Sequence, residues 1–72
     1  MNTVSAYRLN EDRLTVATRF DPDTGRYILD LYSQHDRLSR TWLDAAAFAA
    51  DVRALSAQLA DDGWQLEGGQ ST

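Results

Sequence analysis

The chain contains no cysteine and no lysine, only one proline and one histidine, and no long apolar run. Without cysteine, disulfides and thiolate metal sites are excluded, and His35 alone cannot make a histidine-rich site. No stretch approaches the roughly 20 apolar residues needed to cross a bilayer, and the first residues lack the apolar centre of a secretory signal. These absences predict a cytoplasmic protein with no metal, no cofactor and no membrane contact.

Positive charge is also scarce: seven arginines face eleven acidic residues, giving a net charge of −4. That sign argues against attraction to nucleic acid or to an anionic membrane. Residues 1–43 are neutral, so the excess acid lies in residues 44–72. Arginine without lysine, together with many Ala and Asp residues, is typical of GC-rich bacterial genomes and predicts a bacterial origin.

The strongest pattern present lies in residues 44–63, which predict one amphipathic helix. Asp44 suits the N-cap, because its side chain can accept from the free amides of the first turn. Gly63 suits the position after the helix, because it readily takes a positive φ. Apolar residues at steps of four, three and four fall on one helical stripe. The stripe consists of Phe48, Val52, Leu55 and Leu59.

Ahead of the helix, short alternating segments separated by polar turns predict four strands. They are residues 3–9, 13–20, 26–33 and 37–43. Short connections between consecutive strands favour an antiparallel meander. Residues 64–67 have little pattern, and residues 68–72 are predicted to be a disordered tail.

The predicted fold class is therefore α+β, a β-β-β-β-α chain forming a single domain over residues 1–67. A helix of about 17 residues spans about 25 Å, close to the length of an eight-residue strand. One helix is thus long enough to cover one face of the sheet and leave the other face open.

Alternation along the strands predicts which side chains face the helix and which face away. Those facing the helix are Leu14, Val16, Phe20, Leu29 and Leu31. Those facing away form the candidate binding surface: Arg13, Arg19, Arg26, Ile28 and Tyr32. Arginine can bind carboxylate or phosphate, and tyrosine can stack on bases. The alternative is a solvated face on which arginines pair with Asp30.

A second candidate surface is a stripe of small residues on the helix. Small side chains let two helices approach closely, although alanine is also the best helix former and is common on exposed faces. The stripe consists of Ala46, Ala50, Ala54 and Ala57. A homodimer through this stripe, or through the unpaired edges of the sheet, is left open.

Two further groups resemble functional sites without meeting their requirements. Asp21 and Asp23 could start a calcium loop, but its twelfth position is Tyr32 instead of glutamate, so a turn is predicted. Ser33, His35 and Asp36 are neighbours in sequence, which does not give their side chains triad geometry. The prediction is that the protein is not an enzyme and has no catalytic residues.

Residues 41–55, TWLDAAAFAADVRAL, resemble the strand-to-helix corner of AP2-type DNA-binding domains, where a Trp-Leu pair precedes an alanine-rich helix. The order of elements is similar to that of some small single-strand binders and of small phage or plasmid inhibitor proteins. The first two resemblances imply nucleic-acid binding, and the third implies binding to a protein.

The leading hypothesis from the sequence is a small non-enzymatic module that binds an unknown protein partner, with a homodimer left open. The alternative is single-stranded nucleic-acid binding through the arginines and Tyr32 of the open sheet face.

Overall fold

The computed structural model describes the backbone of residues 2–71 and the side chains of residues 2–69. Its elements are β1 (Thr3–Leu9), β2 (Asp12–Asp21), β3 (Arg26–Ser33), β4 (Arg37–Trp42), α1 (Ala45–Asp61) and β5 (Gln65–Ser71). The strands form one antiparallel sheet in the order β4-β3-β2-β1-β5. The predicted α+β class with an antiparallel sheet is confirmed.

The predicted count of four strands is wrong, because β5 adds a fifth strand beside β1. Gly68 and Gly69 pair with Ala6 and Ser5, so this part of the predicted disordered tail is ordered. Thr72, the last residue of that tail, lies outside the described residues. The segment has neither alternation nor strand-forming side chains. Its pairing depends on the free edge of β1, a partner distant in sequence that local preference does not reveal.

The turn predicted between β2 and β3 is confirmed. The Gly25 amide donates to the Asp21 carbonyl over 2.8 Å, and Gly25 has a φ of 70°. The Asp21 side chain accepts from the Asp23 amide at 3.0 Å and from the Thr24 hydroxyl at 3.1 Å. Side-chain bonds of this kind are typical of aspartate at the start of a turn. The carboxylate is therefore engaged in holding the turn.

Both predicted ends of the helix are confirmed. The Asp44 side chain accepts from the Ala47 amide at 3.1 Å. At the other end Trp64 N–H donates to the Leu59 carbonyl at 2.9 Å, and Gly63 N–H donates to the Ala60 carbonyl at 3.1 Å. With Gly63 at a φ of 95°, these bonds form a Schellman motif. Within residues 2–71 no helix is long and apolar enough to cross a membrane.

The core lies between α1 and one face of the sheet, here called the covered face. Val16, Leu29 and Leu59 are buried at its centre. The half-buried hydrophobics packed around them are Tyr7, Leu14, Leu31, Trp42, Phe48, Val52, Leu55 and Trp64. Four of the five side chains predicted to face the helix, all except Phe20, belong to this cluster.

Three contacts at one corner, made by Phe48 and Asp51 of α1, join the helix to the sheet. The Phe48 ring stacks on Tyr27 with centroids 5.1 Å apart and meets Trp42 edge-on at 5.4 Å. The Trp42 indole N–H donates to the Asp51 carboxylate at 2.6 Å. Phe20 contacts the ring of Tyr27, with centroids 4.8 Å apart, and is 39% exposed. The start of the helix is therefore held over the start of β3 and the end of β4.

Candidate binding surface

The sheet face opposite α1, here called the open face, is covered by no element among residues 2–71. The strand register arranges its side chains in rows across the sheet. One row runs Arg37, Tyr32, Thr15 and Ala6; the next runs Ser39, Asp30, Ala17 and Val4; a third runs Thr41, Ile28 and Arg19. The middle of the face is thus built mainly from small side chains, with longer ones around it.

All five residues of the predicted candidate surface lie on the open face, but they are not equally accessible. Ile28 is only 8% exposed, so little of it can contact a partner. Tyr32 is 37% exposed, with the Arg37 guanidinium 5.0 Å from the centre of its ring. At this distance a cation is attracted to the ring face. The tyrosine therefore has a cation on its ring rather than an open stacking face.

Several arginines of the open face already have partners within the chain. Glu67 lies 3.9 Å from Arg8 and 4.0 Å from Arg13. The bulge in the β1–β5 register, between Ala6 and Tyr7, leaves Glu67 out of the regular pairing beside these arginines. Arg26 donates to the Thr41 hydroxyl at 3.4 Å. By contrast, Arg19 makes no ion pair with any described side chain.

Asp30 differs from every other charged residue of the face. It is 5% exposed, yet its carboxylate has no hydrogen bond or ion pair to a described side chain. Its direct neighbours across the strands are Ala17 and Ser39. Arg19 and Arg37 are the diagonal neighbours of Asp30, and such positions are about 7–8 Å apart. Neither arginine forms an ion pair with Asp30. The predicted pairing of these arginines with Asp30 is therefore absent among the described residues.

The Asp30 carboxylate sits at the floor of the open face. No fully enclosed side-chain nitrogen or oxygen in the described residues lacks a hydrogen-bond partner, so its oxygens still reach solvent. A buried carboxylate normally has a hydrogen-bonding or charged partner, because burial removes most of its hydration. The sequence signal was an acid at the centre of the most apolar strand, RYILDLYS. Sequence reasoning treated it only as a partner for arginine.

The other predicted residues are not gathered into a site. All four alanines of the helix stripe are exposed. His35 is exposed in the β3–β4 turn, while Ser33 donates to the Asp36 carbonyl at 3.3 Å and accepts from the Asp36 amide at 3.0 Å. Ser33 is therefore engaged in the turn. No group of three or more His, Cys, Asp or Glu residues in the described chain could hold a metal ion.

Comparisons with known proteins give this chain no assignment. No protein-family model, no curated protein and no solved structure matches it. Its function therefore has to be argued from the two faces of the sheet alone.

Proposed function

We propose that this protein is a small non-enzymatic binding module that receives a segment of a partner protein on the open face of its sheet. The observation that carries the proposal is Asp30, a residue that is 5% exposed and whose carboxylate has no partner among the described side chains. An unpaired buried charge destabilises a domain, whereas a charge pair that is shielded from water at an interface can dominate binding. A partner that supplies the missing cation explains why the face carries this residue.

The charges around Asp30 support one kind of partner. The negative group at the centre favours an arginine or lysine side chain. Arg19 and Arg37, on the two flanking strands, favour acidic side chains on either side of that basic one. The partner segment therefore has a basic residue flanked by acidic residues. Ala17 and Ser39 next to Asp30 leave room for the basic side chain to approach.

Single-stranded nucleic acid is the alternative occupant of the same face. The arginines favour it, since they can bind phosphate. Three features oppose it: Glu67 neutralises charge beside Arg8 and Arg13, Arg37 lies over the Tyr32 ring, and Asp30 repels phosphate. The protein partner is therefore the better-supported reading.

The test is a titration of the isotopically labelled protein with a short synthetic peptide, followed by nuclear magnetic resonance. The peptide is rich in threonine and carries one arginine between two glutamates. We expect the amide signals of Ala17, Asp30 and Ser39 to move together. Asp30→Asn should weaken binding about tenfold, because the variant removes the charge that pairs with arginine.

The control peptide has the reverse pattern, one glutamate between two arginines, and should bind more weakly. Equal binding of the two peptides, or shifts confined to α1, would contradict the proposal. Glu11→Gln is the control variant, because Glu11 is exposed in the β1–β2 turn. A labelled single-stranded oligonucleotide is titrated in parallel. Binding that falls steeply with added salt would support the alternative.

The cellular setting that we propose rests on composition. A chain without cysteine suits a reducing cytoplasm, and its use of arginine without lysine suits a bacterial genome. Whether the module acts as a monomer or as a dimer is a separate question, which depends on the covered face and its edge.

A further inference from the structure

The covered face has one corner that α1 does not fill. The start of the helix lies near Tyr27 and Trp42, and its end lies near Leu9, which Gly63 approaches. The helix therefore crosses the sheet obliquely and leaves the end of β3 and the start of β4 less covered. A groove of about 140 Å³ lies between α1 and the β4 side of the sheet and extends to this corner; its lining includes Leu31, Leu38, Leu55, Trp42 and Asp51. Leu38 is 46% exposed.

The groove opens beside β4, which is an edge strand of the sheet. The Ser33 amide donates to the Asp36 carbonyl at 2.8 Å, which identifies a hydrogen-bonded pair at the β3–β4 turn. Because such pairs alternate along an antiparallel ladder, Leu38 and Arg40 direct their backbone groups toward β3. The amides and carbonyls of Arg37, Ser39 and Thr41 consequently point away from the sheet.

The two edges of the sheet are not equivalent. β5 has a register shift opposite Ala6 and Tyr7 and carries two adjacent glycines. Bulges of this kind hinder pairing with another strand. β4 keeps a regular register with β3 from Arg37 to Trp42 and contains no proline or glycine. The edge that can accept another strand is therefore also the edge beside the apolar groove.

We infer that β4 pairs antiparallel with β4 of a second copy of this chain, around a two-fold axis at Ser39. In this register Arg37 lies opposite Thr41, and Leu38 lies opposite Arg40. A two-fold axis at Arg40 would bring two guanidinium groups together, and an axis at Leu38 would pair the strand with the turn residue Asp36. The Ser39 register uses all three outward-pointing residues and places no like charges opposite each other.

Charge and apolar area both favour a second copy as the occupant. Arg40 has no ion pair among the described side chains, and Asp51 lines the same groove. A two-fold axis brings Arg40 of each copy to the groove of the other, where Asp51 offers the opposite charge. Leu38 and Leu31 of both copies then lose contact with water. The association uses the covered face and its edge, so it does not depend on the proposed function of the open face.

The small core gives a physical reason for this association. Only four hydrophobic side chains are classed as buried among the described residues, and none of the large side chains is fully buried. Domains of this size often gain stability from a partner subunit. Joining two β4 edges extends the sheet without requiring either monomer to refold.

The first test compares molar masses by light scattering after size exclusion, over a range of protein concentrations. We expect the wild-type mass to approach twice the 8.1 kDa of the chain. Leu38→Arg should raise the dissociation constant at least about tenfold, because it places a second positive charge directly opposite Arg40 of the other copy. Leu66→Arg is the matched control, since Leu66 is 62% exposed on the β5 edge, and it should leave the dimer intact.

The second test uses the absence of native cysteine. In a hydrogen-bonded antiparallel pair the two Cα atoms are about 5.5 Å apart, which a disulfide can bridge. Ser39→Cys should therefore form a covalent dimer under mild oxidation. Ser56→Cys, at an exposed helix position, should not.

Two outcomes would overturn the inference. One is a wild-type mass of a single chain at every concentration, together with no faster cross-linking of Ser39→Cys than of Ser56→Cys. The other is a dimer that survives Leu38→Arg and is lost on Leu66→Arg or on substitution of the alanine stripe, which would place the contact elsewhere.

Discussion

Buried residues on the two faces of the sheet are covered by different groups, although both faces are formed by the same strands. Leu29 and Ile28 are neighbours on β3 and are 3% and 8% exposed. Leu29 packs with Val16 and Leu59 between sheet and helix. Ile28 lies on the face without a helix, so its cover comes from the side chains of neighbouring strands. Burial on the covered face reflects a packed core, whereas burial on the open face reflects long side chains over small ones.

This difference indicates which face contributes to folding and which is available for binding. The covered face has apolar contacts, a hydrogen bond between Trp42 and Asp51, and another between the hydroxyls of Thr3 and Thr18. The open face has two long ion pairs and an unpaired Asp30. We therefore expect substitutions on the covered face to lower the free energy of unfolding most. On the open face we expect a smaller loss at Ile28, a gain at Asp30, and a small, salt-dependent effect at Glu67.

The largest expected effect is a difference in the free energy of unfolding between alanine variants of Leu29 and Ile28, which are neighbours on β3. Leu29→Ala should lower the free energy of unfolding by about 3–4 kcal/mol, because the helix prevents the cavity from collapsing. Ile28→Ala should lower it by about 2 kcal/mol, because flexible side chains can fill the space. Urea unfolding of both variants measures the two losses, and the dependence of the free energy on urea concentration should keep its wild-type slope. Equal losses would show that the open face is packed as tightly as the core.

A smaller effect concerns the bond that ties α1 to β4. Asp51→Ala should lower the free energy of unfolding by about 1–2 kcal/mol, since it removes the 2.6 Å bond from the Trp42 indole. Thermal unfolding followed by tryptophan fluorescence measures the loss. Asp61→Ala is the control on the same helix. It should be neutral or slightly stabilising, because an acid at a helix C-terminus opposes the dipole. A loss equal to that of Asp51→Ala would rule out a specific role for the bond.

A gain of stability is expected at the centre of the open face. Asp30→Asn should raise the free energy of unfolding by about 0.5–1 kcal/mol, because it removes a buried charge that has no partner. Chemical denaturation of the isolated protein tests this, with Glu11→Gln as an exposed control. If Asp30→Asn is destabilising, the carboxylate has a favourable interaction within the chain, and the argument for a partner cation fails.

The smallest effect is expected at the ion pairs of the open face. Glu67→Gln should change the free energy of unfolding by less than about 0.5 kcal/mol, because both pairs are long and exposed. The difference should vanish in about 1 M salt, where the screening length is about 3 Å. Melting in low and high salt measures it. A loss that persists in high salt would indicate that Glu67 stabilises the β5 bulge by packing.

Much of the fold was readable from local patterns. Asp44, the apolar stripe of α1 and Gly63 each act over one or two helical turns, so the helix was predicted with its ends. Alternation in β2 and β3 predicted the facing of Leu14 and Leu29 correctly. These features depend on backbone geometry that neighbouring residues determine.

The structural features that local sequence patterns did not predict depend on contacts between residues that are distant in sequence. β5 forms because β1 offers it a free edge, and the glycines of Gly68-Gly69 locally indicate a loop. The burial of Asp30 depends on side chains from the strands on either side, whose register no local pattern reveals. The Trp42–Asp51 bond likewise joins two elements. For the candidate surface, alternation predicted the set of residues but not which of them are covered or already paired.

The place of β5 beside β1 has a consequence for biosynthesis. β1 gains its second neighbour only when residues 65–71 have been synthesised, after β2, β3, β4 and α1. Until then β1 instead of β5 forms that edge of the sheet, and Val4 and Tyr7 lack their neighbours on β5. Closing contacts this remote in sequence is slow relative to forming hairpins. The free border of β1 is therefore exposed to misassembly or to chaperones until residues 65–71 have been synthesised.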